Sequence, residues 1–185
     1  LLEKGTLSEE KQKKYLGIIV SESTRLADMA TKVLNLTKLE NQEILTDIEK
    51  FNLSEQIRES VLLLEKKWEA KNLSFLAAFD EFYIEGNEEM LKHVWINLLD
   101  NAIKFSKDGA SIYINIDEKD DIRVSIRDEG TGISEEELPY IFEKFYKSKL
   151  RQNAKGSGLG LAIARQICLK HDGTIQVESK VGEGT

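Results

Sequence analysis

An α+β fold is predicted for this chain: a helical hairpin that completes a dimeric four-helix bundle, then an α/β sandwich on a mixed, mostly antiparallel sheet. Three observations predict it. The first stretch, from Leu7 to about Glu40, lacks proline and repeats apolar residues at heptad spacing. Beyond about residue 50, segments of helical and strand period interleave. Neighbouring strand segments are joined by short turns, which favours antiparallel pairing. Of 185 residues, 41% are hydrophobic, 32% charged and one is proline, the make-up of a folded chain without long disordered linkers.

The elements follow in order. Tyr15, Ile19, Leu26, Met29, Val33 and Leu36, with Glu22 filling one slot, step by alternating fours and threes. A long helix with one such stripe has nothing of its own to bury it against, so it needs partner helices. The opening "LLEK" before Gly5 has the character of a preceding helix's last turn, and a hairpin so formed completes a core by dimerising. Leu53 to Lys71 is predicted as an amphipathic helix opened by Ser54, and "LSFLAAF" and "FYIEG" as strands. Glu88 to Phe105 is predicted helical; "SIYINID" and "IRVSIRD" are strands around the turn "EKDD". Ser134 to Phe142 is a predicted short helix, Leu159 to His171 a longer one, and "TIQVES" a last strand. The bundle-to-sandwich boundary is expected between residues 43 and 52, giving domains of residues 1–46 and 47–185.

Bulk charge narrows the function. A net charge of −7 and a pI near 5.1 repel polyanions at long range, so neither nucleic acid nor an anionic membrane is an expected partner. An anionic ligand must then be held by local geometry. Cys168 is the only cysteine, which excludes an internal disulfide and fits a small residue on a packed helix. No apolar run is long enough to span a membrane, and the first residues do not form a signal peptide.

Four stretches carry chemistry. In "NLLDNAIKF", Asn97, Asn101 and Lys104 fall within about 60° on a helical wheel, beside a broad apolar arc of Leu91, Val94, Trp95, Leu98, Leu99 and Ala102. Phe105 borders the two. Amide oxygens are hard ligands suited to Mg²⁺, and a lysine one turn on neutralises phosphate oxygens; a solvated polar face reads equally from this helix alone. "DEGTGI" ends a strand in Asp128, which can accept from an exocyclic amine such as adenine N6, while Gly130 and Gly132 let the backbone approach a flat ligand. "KGSGLGLAIARQICLKHDG" places Gly156, Gly158 and Gly160 at a helix start, an anion site made of backbone N–H groups. It is neither a Walker loop, for want of a terminal Gly-Lys-Ser/Thr, nor a dinucleotide fingerprint, for want of a preceding strand. The basic stretch "KSKLRQNAK" before it has the composition of a lid. "VGEGT" adds a glycine turn and the hydroxyl of Thr185.

In this order, with "IFEKFY" (Ile141 to Tyr146) between the Asp-Gly loop and the glycine run, the motifs resemble the N, G1, F, G2 and G3 boxes of the ATP-binding domain of sensor histidine kinases. That domain belongs to the GHKL superfamily, with gyrase, heat-shock chaperone and mismatch-repair ATPases, and has the Bergerat fold. The resemblance covers about residues 51–185, and "RLADMATKVLNLTKLE" resembles the second helix of the family's dimerisation and phosphotransfer domain.

The resemblance implies that Asn101 is the Mg²⁺ ligand, Asn97 and Lys104 are phosphate-side contacts and Phe105 is a pocket wall. Asp128 would read adenine N6, with Gly130, Gly132 and Ile133 beside it. Lys144 would meet phosphate or ribose, next to Phe145. Gly156, Ser157, Gly158, Leu159 and Gly160 would shape the lid, and Thr185 would join the adenine network of Asp128. ATP and Mg²⁺ are the implied substrate and ion, a homodimer and a response-regulator receiver domain the implied partners, and autophosphorylation of a bundle histidine the implied reaction. Neither histidine fits the acceptor: His93 is expected at the surface, and His171 as a helix C-terminal cation or capping residue. The acceptor is therefore expected before Leu1 and a last strand after Thr185, so the chain reads as a fragment unable to phosphorylate itself, the cytoplasmic portion of a membrane-anchored parent.

Three rivals are weighed. A gyrase- or chaperone-type ATPase places a glutamate where this chain has Asn97, and an amide cannot take a proton. A serine kinase of the anti-sigma-factor type lacks the long bundle helix. A dimerisation module without nucleotide binding predicts no response to Mg-ATP.

Overall fold

The computed structural model describes residues 8–41, 44–148 and 156–185. The predicted tail of a preceding helix and most of the predicted lid lie outside the described residues. Two compact units divide the chain, Leu1–Asn41 and Gln42–Thr185.

The first unit is one helix, α1 (Glu9–Asn41). Glu9 and Glu10 in its first turn and Lys38 in its last complement the helix dipole. Thr24, Thr31 and Thr37 return their hydroxyls to the carbonyls of Val20, Ala27 and Val33, so these mid-helix threonines remain compatible with the ladder. Of the heptad seam, Tyr15, Ile19 and Leu26 are 41%, 50% and 59% exposed.

The second unit runs β1 (Glu49–Asn52), α2 (Leu53–Leu63), α3 (Glu65–Glu69), β2 (Ser74–Ala77), β3 (Tyr83–Gly86), α4 (Glu88–Phe105), β4 (Ser111–Glu118), β5 (Ile122–Asp128), a 3₁₀ turn (Leu138–Tyr140) and α5 (Gly160–Lys170). β1 and β3 pair antiparallel. β2, β4 and β5 form a second sheet, β2 parallel and β5 antiparallel to β4, so the unit is an α/β sandwich with a mixed, mostly antiparallel sheet, as predicted. Alternation sends Ile112, Ile114 and Ile116 of β4 inward, where they meet a core that includes Ile57 of α2, Leu99 of α4 and Ile167 of α5. The β4–β5 register sets Asp128 opposite Ile112, at the end of the hairpin nearest the helices' polar face.

Three elements differ from expectation. The helix predicted over Leu53–Lys71 is capped by Asn52, whose side chain accepts from the Glu55 N–H (3.0 Å), and not by Ser54. The Ser54 hydroxyl is instead buried, donating to the Asp80 carbonyl (2.8 Å) and accepting from the Phe82 N–H (2.9 Å). That helix also breaks at Leu64, and the chain restarts as α3 so that Trp68 Nε1 reaches back to the Val61 carbonyl (3.1 Å) and its ring meets Phe75 edge-on. The helix predicted over Ser134–Phe142 is a short 3₁₀ segment between turns, because Pro139 has no N–H to continue an α ladder. "TIQVES" keeps the alternating burial of a strand but pairs with no strand of either sheet. Among the described residues no helix is long and apolar enough to cross a membrane.

Candidate functional site

α4 is positioned from both flanks. Asn87 caps it through the Met90 N–H (2.9 Å) and ties it to the Thr46 carbonyl through Nδ2 (2.9 Å). On the core side Trp95 Nε1 donates to Gln56 Oε1 (2.7 Å), and Gln56 Nε2 donates to the Glu88 carbonyl (2.8 Å). With Leu91, Val94, Trp95, Leu99, Ala102 and Ile103 buried, Asn97, Asn101, Lys104 and Phe105 stay half-buried beside that arc, as the wheel predicts, and Leu98 of the predicted arc is half-buried too.

The glycine run lies against that face. A Cβ on Gly160 would stand 2.8 Å from Asn97 Oδ1, so the glycine at the start of α5 lies directly against the amide and a larger residue would push the Asn97 carboxamide aside. A Cβ on Gly156 would reach Lys104 Nζ at 3.1 Å. Gly158 accepts from the Phe145 N–H (2.9 Å) at a positive φ of 74°, joining "IFEKFY" to the run. Asn97 Nδ2 donates to the His93 carbonyl (2.8 Å), which aims its oxygen towards Gly160. The Asn101 side chain makes no hydrogen bond among the described residues, and its carboxamide is available for a ligand. Lys104 Nζ stands 4.7 Å from the centre of the Phe105 ring.

The Asp-Gly loop closes on the other end of α4. Gly130 bridges to Ser106, Thr131 N–H donates to the Phe105 carbonyl (3.3 Å), and a side chain at Gly130 would collide with that carbonyl. Asp128, buried at the end of β5, accepts the Gly130 N–H at Oδ1 (2.8 Å). Its backbone pairs with Thr185 in both directions (2.8 and 3.3 Å), which brings the last glycine turn beside it. Ser179, absent from the predicted site, knots this end together. Its hydroxyl accepts from the Ile133 N–H (2.8 Å), donates to the Gly184 carbonyl (2.8 Å) and lies 2.9 Å from Thr185 Oγ1. The only sequence signal was a polar residue closing a strand-like run.

The remaining predicted residues are arranged less uniformly. Lys144 and Phe145 are exposed, Phe145 at a φ of 64°. Leu159 is fully buried, and its N–H meets the Ser157 hydroxyl at 3.4 Å. His93 is exposed, as expected. His171 is the C-cap of α5, the second of its two expected roles; its Nε2 accepts from the Asn87 N–H (3.0 Å) and its Nδ1 faces the Ile167 carbonyl (2.9 Å). Those partners require a neutral ring protonated on Nδ1, not a helix-terminal cation. Burial pushes the Cys168 thiol up from its ordinary range, in keeping with a packed residue.

Residues 86–185 match the family of histidine kinase-, DNA gyrase B- and HSP90-like ATPases. The chain belongs to that family. Among its ATPase-family relatives, the sensor protein KdpD of Clostridium acetobutylicum is 35% identical over 190 aligned residues, covering 100% of this chain and 21% of KdpD. A crystal structure of the histidine kinase ThkA in complex with the response regulator protein TrrA superposes with a TM-score of 0.76 at 30% identity, over 98% of this chain and 51% of that one. The full-length ShkA structure in complex with AMPPNP shares the fold, with a TM-score of 0.82 over 99% of this chain and 39% of ShkA, at 24% identity. The chain spans between 21% and 38% of the length of the sequence relatives it matches.

Proposed function

We propose that this chain is the nucleotide-binding core of a sensor histidine kinase. It holds Mg-ATP against the amide face of α4 and positions the γ-phosphoryl group for transfer to a histidine of a bundle built on α1. One observation carries the reading: four motifs far apart in sequence meet around one helix. Gly160 lies on Asn97, Gly156 at Lys104, Gly130 on the Phe105 carbonyl, and Thr185 on Asp128. Family membership and likeness to the structures of ShkA with AMPPNP and of ThkA with a response regulator support it.

The donor set suits the ion. Among the described residues no cluster of three His, Cys, Asp or Glu side chains forms, so a metal here has Asn101 and substrate oxygens to rely on, the mode Mg²⁺ favours. When bound, Mg²⁺ would neutralise charge on the phosphates. Lys104 adds a cation, the N-terminus of α5 and its glycines supply N–H donors, and Asp128 orients an adenine amine; such positioning and neutralisation is what phosphoryl transfer demands. The Asn97 carboxamide cannot take up a proton, which disfavours its acting as the base for water in an ATPase cycle. Neither histidine here serves as acceptor: His171 has both ring nitrogens engaged, and His93 sits one turn before Asn97 on the binding helix itself. The phosphoryl group then passes to an aspartate of a receiver domain, and dimerisation through α1 assembles the bundle.

Thermal melting with MgADP tests the reading, because a ligand bound only to the native state raises the melting temperature. The wild-type chain is expected to shift upward, and Asn101→Ala or Asp128→Ala to lose most of the shift while folding normally. No shift in the wild type, with no heat by calorimetry at millimolar nucleotide, rejects it.

A further inference from the structure

Lys71 follows α3 and belongs to none of the motifs described above. Its Nζ donates to three backbone carbonyls: Ile103 (3.0 Å), Lys104 (3.0 Å) and Ser106 (2.7 Å). Those are the C-terminal carbonyls of α4, the groups that a helix leaves without partners of its own. Every carbonyl of that terminus is thereby accounted for. Ala102 accepts from the Ser106 N–H (3.0 Å) and hydroxyl (2.7 Å), Phe105 from the Thr131 N–H (3.3 Å), and the other three from one ammonium with three protons to give. The lysine is itself anchored, since its carbonyl accepts the Gly109 N–H at 2.8 Å.

The placement has a consequence for the site. Phe105 lies between Lys104 and Ser106, and its carbonyl is the one that Thr131 reaches and Gly130 closes upon. Holding the carbonyls on both sides fixes the direction of the one between. It also places a positive charge on the negative pole of the helix whose amide face carries the proposed phosphate contacts.

We propose that Lys71 is a positioning residue of the nucleotide site: by gripping Ile103, Lys104 and Ser106 it sets the last turn of α4 where the Asp128 loop can close on Phe105. The proposal rests on the nucleotide reading above. Its test compares the wild-type chain with Lys71→Met, which keeps the length and loses the donors, and Lys71→Arg, which keeps charge and donors. MgADP affinity is measured by calorimetry, and amide hydrogen exchange at Thr131 is followed without nucleotide.

Lys71→Met is expected to weaken MgADP about tenfold, the scale of one charged hydrogen bond, and to speed exchange at Thr131 more than at β4 amides. Lys71→Arg is expected to restore most of the affinity. A role in stability alone would lower the apo melting temperature and leave affinity unchanged. If Lys71→Met fails to fold, Lys71→Gln, with two neutral donors, takes its place and is expected between wild type and a tenfold loss. A folded Met or Gln variant with wild-type affinity, or an Arg variant that folds yet binds as weakly as Met, overturns the proposal and leaves the nucleotide reading standing. A wild-type chain that does not bind MgADP overturns both.

Discussion

α1 and α4 are both amphipathic, yet they treat their apolar faces in opposite ways. α1 leaves Ile19 and Leu26 at least half exposed and buries its apolar residues only near its end, at Leu36 and Leu39, whereas α4 buries Val94, Leu99 and Ile103 almost completely. The difference lies in the width of the stripe. The apolar residues of α1 follow a narrow seam stepping by fours and threes, a shape that matches another helix. Those of α4 fill a broad arc, which settles on a sheet and between α2 and α5. The width of an apolar face therefore indicates the kind of partner it needs, and α4 has that partner within its own unit.

The largest effects should separate the two helices. Replacing Ile19 and Leu26 together by glutamate is expected to abolish self-association in sedimentation velocity, while leaving the urea transition of the α/β unit where it was. A monomeric wild type would remove the narrow-seam argument. Next in size, Leu99→Ala is expected to cost about 3–5 kcal/mol in urea unfolding, because a fully enclosed side chain leaves a cavity that neighbours only partly fill. A cost below about 1 kcal/mol would mean that the α4 core is far looser than its burial implies.

Much of this organisation was legible from residue order. α4 runs Glu88–Phe105 and the β4–β5 hairpin turns at "EKDD", both as read from pattern, because periodicity reports local geometry whenever the element packs on one face. The site was readable as motifs because glycine, asparagine and aspartate are placed where backbone geometry and ligand chemistry leave few substitutes. What pattern could not reveal were bonds between residues remote in sequence. Ser179 and Lys71 act on carbonyls and N–H groups several elements away, and nothing near either in the chain marks the partner. His171 shows the same limit: it caps α5, one of its two expected roles, but Asn87, 84 residues earlier, offers an N–H that only a neutral ring accepts, which excludes the other role, a cation.

That histidine gives the third effect. His171→Ala removes the acceptor of a backbone N–H at a largely buried residue, so a loss of about 1–3 kcal/mol is expected, with His171→Gln recovering part of it through its carbonyl oxygen. The wild-type ring should also show a protonated Nδ1 and a bare Nε2 in nitrogen-detected NMR at neutral pH. A doubly protonated ring under those conditions would refute the bond to Asn87.

The smallest effect concerns the start of α2, where the two candidate caps make opposite predictions. With Asn52 as the cap, Asn52→Ala costs about 1 kcal/mol, the usual worth of a side chain that accepts one N–H at a helix start. Ser54→Ala should cost more, since it strips a buried hydroxyl that serves the Phe82 N–H and the Asp80 carbonyl, both from the segment leading into β3. If Ser54 were the cap, Asn52→Ala would be neutral and Ser54→Ala would show the single-cap loss. Urea midpoints for the two variants decide between them, and equal midpoints for Asn52→Ala and wild type would return the cap to Ser54.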